Sequence, residues 1–235
     1  MIDGLTTIVE AFKAKVPHLD NITNNIANIS TPGFKAEKHF LSVLQSAQQQ
    51  ALPYTPATKI DFSDGSLQHT GNPLDMALQG DGFFTVQTSE GEAYTRKGNF
   101  TINSAKELMT PEGNYVMSEG GRIVLSGTKI EVDPHGEIKS HEGSIGKLKI
   151  VKFNKPENLV KASAGVFRNP NNAAGLQSQD EANVQAGNIE NSNVNAVKEM
   201  LEMIDVQRTV ESYQKVIQTF SDLDNLSVNR LGRIS

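Results

Sequence analysis

A chain of 235 residues has room for one or two domains with real cores, but 37% hydrophobic residues, 6% aromatics and no tryptophan are lean for a single large one. A formal net charge of −5 and the lack of any basic run give no reason to expect nucleic acid or anionic lipid as a partner. With no cysteine, disulfides, thiolate nucleophiles and Cys-bound metals are excluded.

The first element expected is a helix over residues 2–28. Ile2, Leu5, Val9, Phe12, Val16, Leu19, Thr23 and Ile26 follow alternating steps of three and four, a heptad seam with one polar member. The same pattern also fits an amphipathic helix lying on the protein's own core. Pro17 falls inside it; proline removes a hydrogen bond and clashes with the preceding turn, costing about 3 kcal/mol, so a kink or two pieces are expected. The N-terminus lacks a basic region followed by an apolar core, so no cleavable signal peptide is expected, and no window approaches about 18 consecutive apolar residues.

The polar run Asn21 to Lys35 ends the helix, with Thr31-Pro32-Gly33 as a turn and Phe34 as an apolar anchor. Residues 35–60 read as a linker, extended or with a short helix over Ala36–Gln50, closing on two prolines in Leu52–Pro56. From residue 61 to about 168 the character changes to an all-β module. Phe83–Val86, Tyr94, Phe100–Ile102, Tyr115–Met117, Arg122–Leu125, Lys129–Val132 and Lys147–Phe153 are the expected strands, with Gly-rich turns between them. Residues 169–192 are rich in Asn, Gln, Ala and Gly and read as a return linker.

The last element is a helix from about Asn193, within a segment 193–235. Met203, Val206, Val210, Tyr213, Ile217 and Phe220 step by three and four on one face, and Leu223 and Leu226 extend it. Val197, Leu201 and Ile204 are expected on a slightly rotated part of the same stripe, and Asn193 or Asn195 at the N-cap. The organisation is therefore α+β: paired, coiled-coil-like N- and C-terminal helices flanking an inserted all-β domain.

Catalytic chemistry is hard to find in this sequence. The five histidines have no metal-ligand spacing, and Asp61, Asp64, Asp75 and Asp81 miss the alternate positions and distant glutamate of a calcium loop. Gly80-Asp81-Gly82 lacks the third glycine and the helix of a dinucleotide site. No enzyme activity, cofactor or metal is expected.

Three stretches in order resemble one family, the rod and hook proteins of the bacterial flagellum. Asn24-Asn25-Ile26-Ala27-Asn28 followed by Thr31-Pro32-Gly33-Phe34-Lys35 is similar to its N-terminal signature. Gly71-Asn72-Pro73-Leu74-Asp75-Met76-Ala77-Leu78 with Gly80-Asp81-Gly82-Phe83-Phe84, then Tyr94-Thr95-Arg96 and Gly98-Asn99-Phe100, resembles the opening of its β domain. Gly187-Asn188-Ile189-Glu190, Ser192-Asn193-Val194-Asn195 and Met203–Arg208 resemble the start and middle of its C-terminal helix.

The resemblance implies a structural subunit whose terminal helices pair and pack with neighbours into a helical tube, the rod, which carries torque from motor to hook. It also implies export through the flagellar type III apparatus, and partners that are other rod proteins and further copies of the same chain, without nucleic acid or membrane insertion. Asn24, Asn25, Ala27, Asn28, Thr31, Gly33 and Phe34 would then sit where neighbouring subunits meet. Length, and the segments 145–152 and 165–168, look more like the proximal-rod members than the longer distal-rod ones. A secreted β-rich enzyme acting on cell-wall glycan, with helical arms for oligomerisation, and an adhesin or cap-like binding module are the competing readings.

Overall fold

The computed structural model describes residues 2–42, 55–126, 130–141, 143–163, 165–179 and 182–231; the side chains of residues 2–5, 7, 40–42, 55–57 and 224–231 fall outside that description. The chain divides into two compact units. A helical unit takes residues 1–27, 37–59 and 195–235, and a β unit takes 28–36 and 60–194.

In the helical unit, α1 runs Ile2–Ala27 and α2 runs Ala196–Leu231. The two pack against each other. They run antiparallel: His18 meets Glu202, while Asn25, further along α1, meets Glu199, earlier in α2. Pro17 does not divide α1, which is one element through that position. Next to the proline, His18 is tied to α2 by a 2.8 Å contact to Glu202, a tertiary hold on the turn that has lost a backbone donor. The start of α2 is capped by Asn195, whose Oδ1 accepts from the Lys198 amide at 3.1 Å.

Where a short helix is expected after Lys35, residues Glu37–Ser42 instead form a strand paired with Thr55–Ile60. The rest of the expected helix, 43–50, and Leu52–Tyr54 lie outside the described residues. The strand is favoured because Asn25 binds the Glu37 backbone on both sides. Its Nδ2 donates to the Glu37 carbonyl and its Oδ1 accepts from the Glu37 amide, each at 2.9 Å. These bonds hold that residue extended, against the helical preference of the residues after it.

The β unit is antiparallel in all the pairings that follow. Its main sheet runs in the order 160–163, 166–168, 91–95, 82–88, 115–118, 108–109, 101–102. Strand 150–153 joins the same sheet on 82–88 and carries 176–178 on its other side. Strands 130–132, 137–140 and 143–147 make a separate meander.

Strand Gly82–Thr88 is central, and both its faces are covered. Alternation sends Phe84 and Val86 into one apolar core with Met76, Phe100, Leu108, Ile123 and Leu148. Phe83 goes the other way, into a second core with Tyr94, Val151, Phe153, Leu159 and Phe167. There the rings meet edge to face, Phe83 with Phe153 at 5.4 Å and with Phe167 at 6.1 Å.

The segment expected as a return linker is built into this unit. Leu176–Ser178, Asn183–Ala186 and Asn188–Glu190 are strands, the last two paired with Met76–Gln79 and Leu67–His69. Their partners lie over a hundred positions away in the chain, and their Asn and Gln side chains face largely outward, so local composition hides them. In the same way Arg122–Leu125 is only partly a strand, Gly121–Arg122 with a bridge at Val124, and Lys147–Phe153 divides between two strands. Lys129, at the start of another expected strand, lies outside the described residues.

Candidate functional site: the helix faces and the signature segments

On α2 the residues expected on the seam lie on the less exposed side as far as Phe220; Leu223 is 52% exposed, and the Leu226 side chain is outside the described residues. Val206 is buried at 4% exposure, and Met203, Val210, Tyr213, Ile217 and Phe220 are half-buried. Leu201 and Ile204 are not part of it. They stand 60% and 46% exposed, with Val197 at 67% and Met200 at 52%. At 3.6 residues per turn these four lie on roughly the opposite side of the helix from Val206 and Val210, not on a slightly rotated part of one stripe. The first half of α2 therefore has two apolar faces, one directed inward and one open to solvent.

On α1 the buried face is turned relative to the expected heptad. Val9, Phe12, Leu19 and Ile26 are half-buried, whereas Val16 and Thr23 are exposed; the side chains of Ile2 and Leu5 are outside the described residues. The most deeply buried α1 residues are Ile22 and Asn25, both at 2% exposure. Ile22 was missed because it falls between the heptad positions, and Asn25 because a buried amide is recognisable only with its partners. Those are the Glu37 backbone and Glu199 Oε2, the latter at 3.2 Å.

The signature residues behave differently from an exposed contact surface. Asn24 and Ala27 are exposed and Asn28 and Thr31 half-buried, but Gly33 and Phe34 are buried within the chain, as is Asn25. Phe34, at 1% exposure, packs with Ala36, Val194 and Ile29, under the Lys161 ammonium at 5.0 Å from its ring centroid. Gly33 has φ +63°, and a Cβ there would run into the Arg96 backbone, so both conformation and space require glycine. These residues close the chain on itself, because an aromatic ring and a tight turn gain more from an internal niche than from solvent.

Beside them lies a cluster of buried charge. The Lys35 side chain is fully buried and donates from Nζ to Glu190 Oε1 and to the Ser63 carbonyl, both at 2.7 Å. Glu190 is 2% exposed, as is Arg96, whose Nη1 stands 3.7 Å from Glu190 Oε2. Arg96 also donates to the carbonyls of Leu78 and Gly80, and its Nη2 lies 3.5 Å from the exposed carboxylate of Asp64. Glu190 further accepts from the Gly65 amide through Oε1 at 2.8 Å, and its backbone carbonyl accepts from Gly33 at 2.7 Å. Three positions on, Asn193 accepts from the Ala36 amide and donates to the Asp61 carbonyl, each at 2.8 Å. Burial pushes the Lys35 ammonium below the ordinary lysine range, with Glu190 opposing the shift.

The β-domain motif is also used internally. Asn72 and Pro73 are exposed, Leu74, Asp75 and Gly80 half-buried, and Gly82 and Phe83 buried. The Asn72 Oδ1 and carbonyl accept from the Leu74 and Asp75 amides, making a turn, and the Asp75 carbonyl accepts from Gly187 at 2.7 Å. A Cβ at Gly98 would run into the Met76 carbonyl, which explains that glycine. Lys35, Arg96, Glu190 and Asn193 all stand within the sequence motifs, but the motifs carry no signal that these residues meet. Among the described residues no group of three or more His, Cys, Asp or Glu side chains is placed to hold a metal ion, and no helix is long and apolar enough to cross a membrane.

Two antiparallel terminal helices with apolar surface left over, and a β unit that is inserted between them in the chain and held by its own motifs, define an α+β subunit of the kind that completes itself by assembly. Comparison with known proteins agrees. Residues 7–35 match the family described as flagella basal body rod protein, residues 77–144 the flagellar hook protein FlgE/F/G D1 domain, and residues 185–231 the flagellar basal body rod FlgEFG protein C-terminal region. The chain is 32% identical to the flagellar basal-body rod protein FlgF of Caulobacter vibrioides over 92% of its length and 93% of the relative's. It is 33% identical to that of Escherichia coli over 85% and 86%, and 28% identical to the rod protein FlgG of Bacillus subtilis over 97% and 99%. The chain belongs to the flagellar basal-body rod protein family and within it is similar to FlgF. Membership makes it a structural component of the flagellar basal body.

Proposed function

We propose that this chain is a proximal-rod subunit that joins other rod proteins, and further copies of itself, in a helical tube transmitting torque from motor to hook. The observation that carries the reading is the second apolar face of α2, at Val197, Met200, Leu201 and Ile204, set opposite the face that α1 covers. Apolar surface is worth roughly 25 cal/mol per Å² when removed from water, and four large side chains left open on one turn-to-turn stripe favour a further helix beside them. In the tube, the terminal helices pair as a coiled coil and neighbouring subunits cover the outward stripe. A chain without thiols, delivered unfolded through the type III apparatus and ordered at the growing tip, fits the same scheme, the burial offsetting the entropy of ordering. The role is mechanical and involves no catalysis.

The experiment is electron microscopy of basal bodies purified from a strain lacking the gene. A missing or shortened rod is expected, with the break at the proximal level. A break at the distal level would move the assignment to the distal rod, and complete rods with normal hooks would overturn it.

A further inference from the structure

The buried charge cluster draws its members from widely separated segments, Lys35, Arg96 and Glu190, and 155 positions separate the first from the last. We propose that it is a closure lock: the strap 28–36 can dock on the β unit only after residues 187–194 are seated, so the unit closes only in a chain complete to that point. The inference concerns folding order and does not depend on the proposed place in the rod.

The argument is electrostatic. Lys35 and Arg96 are both cations, each at 2% exposure or less, and their mutual repulsion acts against Lys35 being charged. The other acids near these cations among the described residues are exposed: Asp64 lies 4.0 Å from Lys35 and 3.5 Å from Arg96, and Asp81, which feels the Arg96 charge, is paired with Lys152 at the surface. Without Glu190, docking the strap would bury two cations with no buried counter-charge, which is strongly unfavourable. Glu190 also supplies the acceptors for the Gly33 and Gly65 amides, and Asn193 ties Ala36 to Asp61. The keystone therefore belongs to the last of the three segments in chain order, so a chain that emerges N-terminus first presents the strap before the residue that lets it dock. Each of the three family matches contributes one of the buried charges: Lys35, Arg96 and Glu190.

Hydrogen exchange of the full chain tests this, read at 28–36 and 60–66 and, as a reference, at strand 82–88. In Glu190→Gln, exchange at 28–36 and 60–66 should rise about 100-fold or more while 82–88 keeps its protection, because removing one partner strands two buried cations. The double variant Lys35→Met/Glu190→Leu, which removes one charge of each sign, should regain most of the lost protection. Unchanged exchange of the strap in Glu190→Gln, or equal loss in strap and strand, would overturn the lock. If Glu190→Gln fails to fold, a folded double variant supports the proposal and an unfolded one overturns it.

Discussion

The β unit and the helical unit solve the problem of stability in different ways. Strand 82–88 has apolar cores on both faces, Phe84 in one and Phe83 in the other, and the motif glycines and charges around it are matched inside the chain. The helices have Val206 and Ile22 as their deeply buried apolar side chains among the described residues, polar contacts such as His18–Glu202, and an open apolar stripe. The β unit does leave single apolar side chains exposed at separate positions, Ile102, Val124 and Val160 among them, whereas α2 lines up four along one face, and a continuous stripe of that kind is what a neighbour covers.

Mutations should divide along the same line. Ile204→Asp places a charge on the open stripe, where the side chain stands 46% exposed. Rod incorporation should be abolished while the thermal midpoint of the free protein stays unchanged; a complementation assay with normal motility would show that this face is not an assembly surface. Ile217→Asp, on the α1-facing side, should lower both incorporation and helix content in the free protein. In the β unit, Phe84→Ala removes a fully buried ring stacked edge to face on Phe100 at 5.1 Å. Truncation of a buried Phe costs about 3–5 kcal/mol, so denaturant unfolding of the β unit should shift to lower concentration while helical circular dichroism is kept.

The smallest effect is a dependence on pH. The rings of His18 and His39 stack at 4.8 Å, and burial first, then His18 and Lys15, hold the His39 imidazole below its usual 6.5, with Glu202 opposing. A base with a depressed folded value takes up its proton more readily when unfolded. Stability is therefore intact above 6.5 and falls as pH drops through that value toward the folded one. Melting of the helical unit between pH 8 and pH 5 should show this loss, and His39→Gln should reduce it; an unchanged slope would assign the proton to another group.

Much of the fold was legible locally. The 3-4 stepping of Met203 to Phe220 named the inner face of α2, and alternation in Phe83–Val86 named the central strand, because one period sorts side chains by face. The outer face was misread: Val197, Leu201 and Ile204 keep helical steps among themselves, and nothing in the spacing says that a partner covers only the other side. The α1 face was displaced for a related reason. A heptad fitted to Val16 and Thr23 passed over Ile22 and Asn25, both buried, the second held by its bonds to Glu37 and Glu199. The signature residues were tied to a neighbouring subunit, whereas Gly33 and Phe34 are held within their own chain.

By itself the sequence determined the helix–β–helix order, the lack of thiol chemistry and the family, since these depend on composition, periodicity and contiguous motifs. Tertiary structure alone decided that Leu176–Ser178, Asn183–Ala186 and Asn188–Glu190 are strands, that α2 has one face covered and one open, and that Lys35, Arg96 and Glu190 share a buried site. Strand pairing and burial of charge depend on partners distant in the chain, up to 155 positions for Lys35 and Glu190, and the energy that selects them exists only once those partners have met.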